Sequence, residues 1–398
     1  MNIRPFPALR PNTADAALVA SVPYDVVDTA EAAALAKDNP KSFLHVSRPE
    51  IDLAPGTDCS SPEAYAQARK ALDGLEASGT LVRDAVPKYY AYRQTMGSHS
   101  QTGIVATFDT KEYLSGVLKQ HEKTRKDKED DRTRHIETLA AHTGPAFLTY
   151  RDDRGIDDVV AAACATAPLY DFTAPDGVRH TVWEIAAAGS CAADELAERF
   201  SMVPCAYIAD GHHRSAAAAR YAAAHGFEGE SRWFLAVAFP ASQLKILPYN
   251  RLVKDLNGLS SYEFMSAVSQ NFTIGAGGSR SCRMYFDGKW TELSWDVPSG
   301  AGAVASLDVS VLQDSLLAPV LGIGDPRTSP RISFMGGIRG EKALEAKVDS
   351  GEAAVAFSMR GVGVEEMMAI ADAGEIMPPK STWFEPKLRS GLFIHPVS

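Results

Sequence analysis

The sequence predicts a mixed α/β (α+β) fold, and three observations carry that expectation. Two segments read as β-hairpins, Ala-rich stretches with helical periodicity stand between the strand-like runs, and the two kinds of element do not alternate strictly as a parallel βαβ protein requires. The N-terminal stretch MNIRPFPALRPN is punctuated by proline and leads through VPYDVVD to an Ala-rich helix over Thr29 to Asp38, followed by a strand at SFLHV (42–46). Ala64, Ala68, Leu72 and Leu75 recur at helical spacing and predict a helix over Ser61 to Ser78. KYYAYRQT and TGIVATFD, rich in Tyr, Val and Thr, form the first hairpin across Met96 to Gln101. WFLAVAF and LKILPYNRLV predict central strands, and SCRMYFDGKWTELSW a second hairpin turning at Asp287-Gly288. The expected organisation is an N-terminal α/β region over 1–110, a core over 111–260 and a C-terminal α/β region over 261–398.

Composition narrows the function. The chain has 398 residues, 45% hydrophobic and 23% charged, which is the balance of an ordinary globular protein. Its formal charge of -10 argues against nucleic acid as the main partner, because phosphate contacts need a basic surface. The most apolar run, Val159 to Tyr170, is too short to span a membrane and contains Pro168. The N-terminus has no apolar leader, so the expected location is the cytoplasm. Cys59, Cys164, Cys191, Cys205 and Cys282 are scattered, without a C-x-x-C pair, and indicate neither a disulfide framework nor a structural zinc site. There is no Walker A sequence, no G-x-S-x-G, no H-E-x-x-H and no dinucleotide fingerprint.

The segment YIADGHHRSAAAAR (207–220) is the most informative in the chain. Val203 to Ala209 reads as a buried strand, Asp210-Gly211 as a turn and His213 to Ala224 as a strong helix former stopped by Gly226. The polar cluster therefore sits where a strand hands over to a helix N-terminus, whose unpaired N–H groups and dipole favour anions. Gly211 would allow close backbone approach, His212 and His213 could donate ring N–H bonds, Arg214 could grip phosphate oxygens in a fork, and Ser215 follows them. The same residues also fit a plain helix start with Asp210 as its N-cap.

A second segment has no apolar residue at all. From Lys119 to His135 the sequence is KQHEKTRKDKEDDRTRH, which excludes a core helix. Taken as one helix, it lines up His121, Arg125, Lys128, Arg132 and His135 on one basic face, either a solvated surface laced by ion pairs or a wall facing the phosphates of the Asp210 turn.

The run Asp210-Gly211-His212-His213-Arg214 resembles the nucleotide-binding turn of the ParB/sulfiredoxin superfamily, most closely its free-serine kinases, and His121-Glu122 resembles their upstream His-Glu pair. MPPKSTWFEPKLRSGLFIHP, QTGIVATF and PYDVVD resemble a widespread bacterial and archaeal family, some members of which are regarded as serine kinases. The superfamily resemblance covers about Tyr113 to Phe239 and implies a ParB/sulfiredoxin-like core with added N- and C-terminal α/β elements. It implies a transfer of phosphoryl from ATP, ADP or pyrophosphate, with Mg²⁺, to free serine. It places the base that activates the serine hydroxyl on Glu122, an assisting role on Asp210, and phosphate binding on Gly211, His212, His213 and Arg214. Sulfiredoxins carry a Cys where this chain has His212, so sulfinic-acid repair is not implied. Glu122 and Asp210 are farther apart than in the compact kinases, with an insertion including WEIAAAG between them, so the fold must bring them together.

The chemistry asks for the same parts. Phosphoryl transfer needs charge neutralisation, in-line placement and a carboxylate to take the hydroxyl proton. Arg214 with His121, Arg125, Lys128 and Arg132 could neutralise, Mg²⁺ could bridge the phosphates near Asp210, and Glu122 could be the base; no residue is assigned as a metal ligand. Asp25 and Arg125 are candidates for the ammonium and carboxylate of a serine-sized substrate, although Tyr24-Asp25 also reads as a structural turn. The C-terminal MPPKSTWFEPKLRSG reads as an ordered strap in which Trp383 and Phe384 close a core, or in which Lys380, Ser381 and Thr382 reach a phosphate. The expected partners are substrate and donor, with no membrane and no nucleic acid, and assembly as a homodimer is left open. Rival readings are a nucleotide-binding regulator of the ParB type, which would need a separate helix-turn-helix, and a hydrolase using water as acceptor.

Overall fold

The computed structural model describes residues 1–297 and 299–397. The chain forms two compact units, one from Met1 to Leu244 joined by the segment from Pro386 onward, the other from Lys245 to Glu385. The expected boundaries after residues 110 and 260 fall elsewhere on this chain. Strands on both sides of residue 110 share one sheet, because the hairpin over 88–109 is buried on both faces and has to be covered by later elements.

The first unit contains strands β1 (Ile3–Arg4), β2 (Lys88–Met96), β3 (His99–Asp109), β4 (Leu118–Lys119), β5 (Ala146–Tyr150), β6 (Tyr170–Thr173), β7 (Arg179–Ala187), β8 (Ala206–Asp210) and β9 (Trp233–Pro240). They form one nine-stranded sheet in the order β4-β8-β5-β9-β3-β2-β7-β6, with β1 added on β3. The pairings β8 with β4 and β9 with β5 are parallel, and the others are antiparallel. The fold class is thus mixed α/β. WFLAVAF forms the central β9, and the first hairpin is β2 with β3, Tyr90 opposite Val105 and Tyr92 opposite Gly103. A Cβ on Gly103 would lie 2.8 Å from the side chains of Val237 and Phe239, so the glycine admits their close packing on the sheet.

Helices of this unit include α1 (Thr29–Ala36), α2 (Leu44–Ser47), α3 (Pro62–Ala77), α4 (Lys126–Leu139), α5 (Arg154–Cys164), α6 (Cys191–Met202) and α7 (His212–Ala224). Ser61 caps α3, and Ala64, Ala68, Leu72 and Leu75 are buried as their spacing predicts. SFLHV, expected as a strand, contains α2 instead: Phe43 and Val46 are buried in a cluster with Ala68, Leu72 and Leu75 of α3, and a short apolar run does not itself specify a period. The alanines of α7 are not there for helix propensity alone. Ala216 to Ala219 are all buried, and α7 packs on α4, so small side chains let two charged helices approach closely.

The second unit has a six-stranded antiparallel sheet made of β10 (Tyr249–Val253), β11 (Thr273–Ile274), β12 (Arg280–Phe286), β13 (Lys289–Trp295), β14 (Ile332–Gly336) and β15 (Val355–Ser358), in the order β11-β13-β12-β15-β10-β14. The second hairpin, β12 with β13, turns at Asp287 and Gly288, both with positive φ. In LKILPYNRLV, Pro248 divides the run: Lys245 to Leu247 pair with Trp383 to Glu385, and the rest forms β10 between β15 and β14.

Candidate functional site

The site stands at the carboxyl ends of two parallel neighbours. Leu118 pairs with Ala206 and Lys119 with Tyr207, so β4 and β8 run the same way and release their following loops at the same end of the sheet. That end of an open sheet is where ligands bind in α/β proteins. After β4 comes His121-Glu122, and after β8 comes the turn into α7. The parallel pairing is how the fold joins segments that are far apart in sequence, while α5, β6, β7 and α6, with WEIAA in β7, occupy the interval.

Gly211 is the N-cap of α7, at φ 88° and ψ 30°. This left-handed conformation favours glycine, and a Cβ would meet the Arg214 guanidinium at 3.0 Å. Asp210 ends β8, and the N-cap of α7 is Gly211, which brings no side-chain hydrogen bond to the first turn. Arg214 places Nη2 3.1 Å from Asp210 Oδ2 and Nη1 on the Pro145 carbonyl. Its fork is therefore engaged within the protein, unlike the bidentate phosphate grip expected from sequence. Burial lowers the Arg214 pKa, but Asp25 and Asp210 outweigh it and hold the group above the usual arginine value.

His212 is only 5% exposed, and its ring meets that of His121 edge-on at 4.6 Å and 88°. Burial pushes His121 down to about 4 and holds His212 well below its ordinary range. His121 is also hydrogen-bonded to the Ile208 backbone. The pair is neutral at physiological pH and fastens the His121-Glu122 loop to the turn. His213 Nε2 accepts the backbone N–H of Arg125 at 3.1 Å, which ties the start of α4 to the start of α7. Burial lowers its pKa, with Asp25 and Glu129 acting the other way. Glu122 is thus bracketed by two residues, His121 and Arg125, that each touch the turn. Ser215 is buried in the first turn of α7.

The single basic face does not exist. Helix α4 begins at Lys126 with Arg125 as its N-cap, and His121 lies in the preceding loop. Arg125 and Lys128 are exposed, Arg125 pairing with Asp127, whereas Arg132 and His135 face inward. Arg132 binds Asp131 at 2.7 Å and stacks over Tyr24 at 4.0 Å. Lys126 pairs with Asp130, and Arg220 of α7 reaches Glu129 and Asp130. Lys126, Glu129, Asp130, Asp131 and Arg132 of α4 are engaged within the protein, and the helical period starts only at Lys126, after the loop that follows β4. Asp25 is exposed and acts electrostatically on Arg214 and His213.

Sequence reasoning missed Lys387. Its ammonium lies 3.6 Å from Asp210 Oδ1, with the side chain 12% exposed. The segment from Pro386 onward threads the first unit, Ser390 bridging to Ser21 and His395 pairing with His142, and so delivers Lys387 to the turn. The nominated Lys380, Ser381 and Thr382 belong to the second unit, where the adjoining Phe384 is buried. The signal was the lysine in the same Pro-punctuated stretch. Among the described residues no three His, Cys, Asp or Glu gather as a metal cluster, and no helix is long and apolar enough to cross a membrane.

Buried histidines set a pH dependence. His121 at about 4, and His135 and His142 each at about 3, stay neutral in the fold, whereas unfolded histidine titrates near pH 6.5. Below about pH 6.5 the unfolded chain binds more protons, so stability present above that pH is lost as pH falls toward 4, by up to about 1.4 kcal/mol per pH unit for each ring. Urea unfolding at about pH 7, 6 and 5 is expected to show the decline; a flat profile would mean that the rings are protonated in the fold.

Fold and site together define a mixed α/β protein whose glycine-capped helix start is backed by a histidine–glutamate loop at the ends of parallel strands. The chain belongs to the family described as "Protein of unknown function (DUF1015)", which matches residues 3–310. Among solved structures it is similar to "Free serine kinase in complex with AMP", at 13% identity and a TM-score of 0.37, covering 73% of this chain and 91% of that one. It is also similar to SbnI with C-terminal truncation from Staphylococcus aureus, at 12% identity and a TM-score of 0.42, covering 74% and 87%. A conserved hypothetical protein from Pyrococcus furiosus is 13% identical, with a TM-score of 0.36 and coverage of 73% and 94%. A comparison with curated proteins gives no match. At these scores the function has to be argued from this chain's own residues.

Proposed function

We propose that the chain is a phosphotransferase with an alcohol acceptor, moving a phosphoryl group from ATP, ADP or pyrophosphate to the hydroxyl of free L-serine to give O-phospho-L-serine. The observation that carries the reading is how the loop bearing Glu122 is fastened to the turn. His121 packs on His212, and the Arg125 N–H binds His213, so the chain on either side of Glu122 is tied to the start of α7. In this reading the first backbone N–H groups of α7 and the dipole of the helix receive the donor's phosphates. Glu122 takes the serine hydroxyl proton as the oxygen attacks the terminal phosphorus and the bond to the leaving phosphate breaks. Lys387 and Arg214 hold Asp210 in place beside the phosphates. Mg²⁺ would arrive on the donor's phosphates, neutralising their charge, and Asp210 is the carboxylate of the turn that could complete its shell. The ParB/sulfiredoxin-like assignment of this core is part of the same proposal.

Incubation of the protein with serine, Mg²⁺ and each of ATP, ADP and pyrophosphate is expected to yield phosphoserine with at least one donor. No product with any of them, while a nucleotide still binds, would sink the kinase reading in favour of a regulator. Product from threonine or homoserine instead would correct only the acceptor.

A further inference from the structure

The first unit holds a cavity of about 40 Å³ whose lining includes Tyr24, Ser47, Arg132, His135, His142 and Arg214. Three residues of its lining each carry a buried polar atom without a hydrogen-bond partner among the described residues: Ser47 Oγ, His142 Nε2 and Arg214 Nε. Ser47 is 7% exposed and His142 6%. Buried polar atoms in native proteins are almost always paired, and three on residues lining one small cavity imply that something polar belongs there. Two guanidinium groups border the cavity and no Asp or Glu lines it, because Asp131 and Asp210 engage Arg132 and Arg214 from elsewhere. The lining therefore favours an occupant with acceptor oxygens.

The donor and acceptor pattern says more. Ser47 O–H and Arg214 Nε–H are donors, suited to the oxygens of a small oxyanion. His142 is hydrogen-bonded to the Trp233 backbone, which leaves Nε2 of the neutral ring as an acceptor. An acceptor beside two donors fits an anion that carries an N–H or O–H close to its charge, as the head of an amino acid does. A cavity of this volume has no room for a nucleotide base. Arg214 serves both places, touching Asp210 of the turn with Nη2 and lining the cavity.

We propose that this cavity is the subsite for the carboxylate of the acceptor amino acid, held by Ser47, Arg214 and the charge of Arg132, with His142 Nε2 accepting from the neighbouring ammonium or hydroxyl. The proposal rests on the kinase reading for the identity of the acceptor, and it moves the carboxylate from exposed Arg125 to a buried site. Its test needs no turnover. Equilibrium binding of L-serine to the wild-type protein, without donor, is expected to be at least about tenfold tighter than that of serinol, which lacks the carboxylate. Ser47→Val, which fills the cavity and removes a donor, is expected to weaken serine binding by about tenfold or more, its folding checked by thermal unfolding. Equal binding of serine and serinol overturns the proposal, as does unchanged serine affinity in a folded Ser47→Val. Inorganic phosphate is the third probe. If it displaces serine and its own binding is lost in Ser47→Val, the cavity takes the donor's phosphate and the carboxylate assignment falls. If Ser47→Val does not fold, the serine and serinol comparison decides alone. Serine bound in the cavity with no phosphoserine formed under any donor would retain the subsite and reject the kinase.

Discussion

Glu122→Gln is expected to lower phosphoserine formation by about 10²-fold or more while changing donor affinity by less than about twofold. The substitution keeps shape and removes a proton acceptor, and general-base catalysis is typically worth about 10²- to 10⁴-fold. The neighbours of Glu122 fix the backbone on both sides, His121 against His212 and the Arg125 N–H on His213, so the loop should hold its position in the variant. A kcat that collapses with an unchanged donor dissociation constant identifies an interaction made in the transition state. Loss of donor affinity equal to the loss of turnover would instead make Glu122 a phosphate- or metal-organising group. The measurements are steady-state turnover and calorimetric donor binding on the same preparations.

Much of this site was legible because its signals are local. A strand, a glycine at a conformation only glycine favours and an Ala-rich helix follow each other within 203–224, and both hairpins announce themselves by composition and turn residues. What the sequence hid depends on long-range pairing. His121 is buried because β4 lies beside β8, a contact that nothing in KQHEKTRKDKEDDRTRH records, and the same pairing delays the helix to Lys126 and dissolves the basic face. The periodicity of that face begins at His121, which lies in the loop before the helix. SFLHV failed for a different reason: five apolar-rich residues carry too little period to separate strand from helix, and packing against α3 decided. Lys387 lies 177 positions from Asp210 and Ser47 85 positions from Arg132, so no short window of sequence contains either assembly. The alanines of α7 specify a helix by propensity, and their packing role becomes visible only with α4 lying against them.

Arg214→Ala is expected to damage both fold and donor binding, by about 3 kcal/mol of stability and at least about tenfold in donor affinity. The side chain is 12% exposed and engages Asp210 and the Pro145 carbonyl, so truncation leaves a carboxylate and a carbonyl without their donor. Removing one partner of a buried pair costs about 3 to 5 kcal/mol. The lower end applies here, because Asp210 is partly exposed and keeps Lys387 at 3.6 Å from its other oxygen. Arg214→Lys restores charge without the planar fork and is expected to recover only part of the stability, since an ammonium cannot span both acceptors. In the double variant Asp210→Asn/Arg214→Ala the stability cost should be smaller than the sum of the single costs, by about 1 kcal/mol or more, if the two side chains act on each other. Urea unfolding and equilibrium donor binding read the two effects separately. Stability unchanged within about 0.5 kcal/mol in Arg214→Ala would mean that the Asp210 pair does not support the turn, and lost stability with full donor affinity would leave Arg214 a structural residue with no part in holding phosphate.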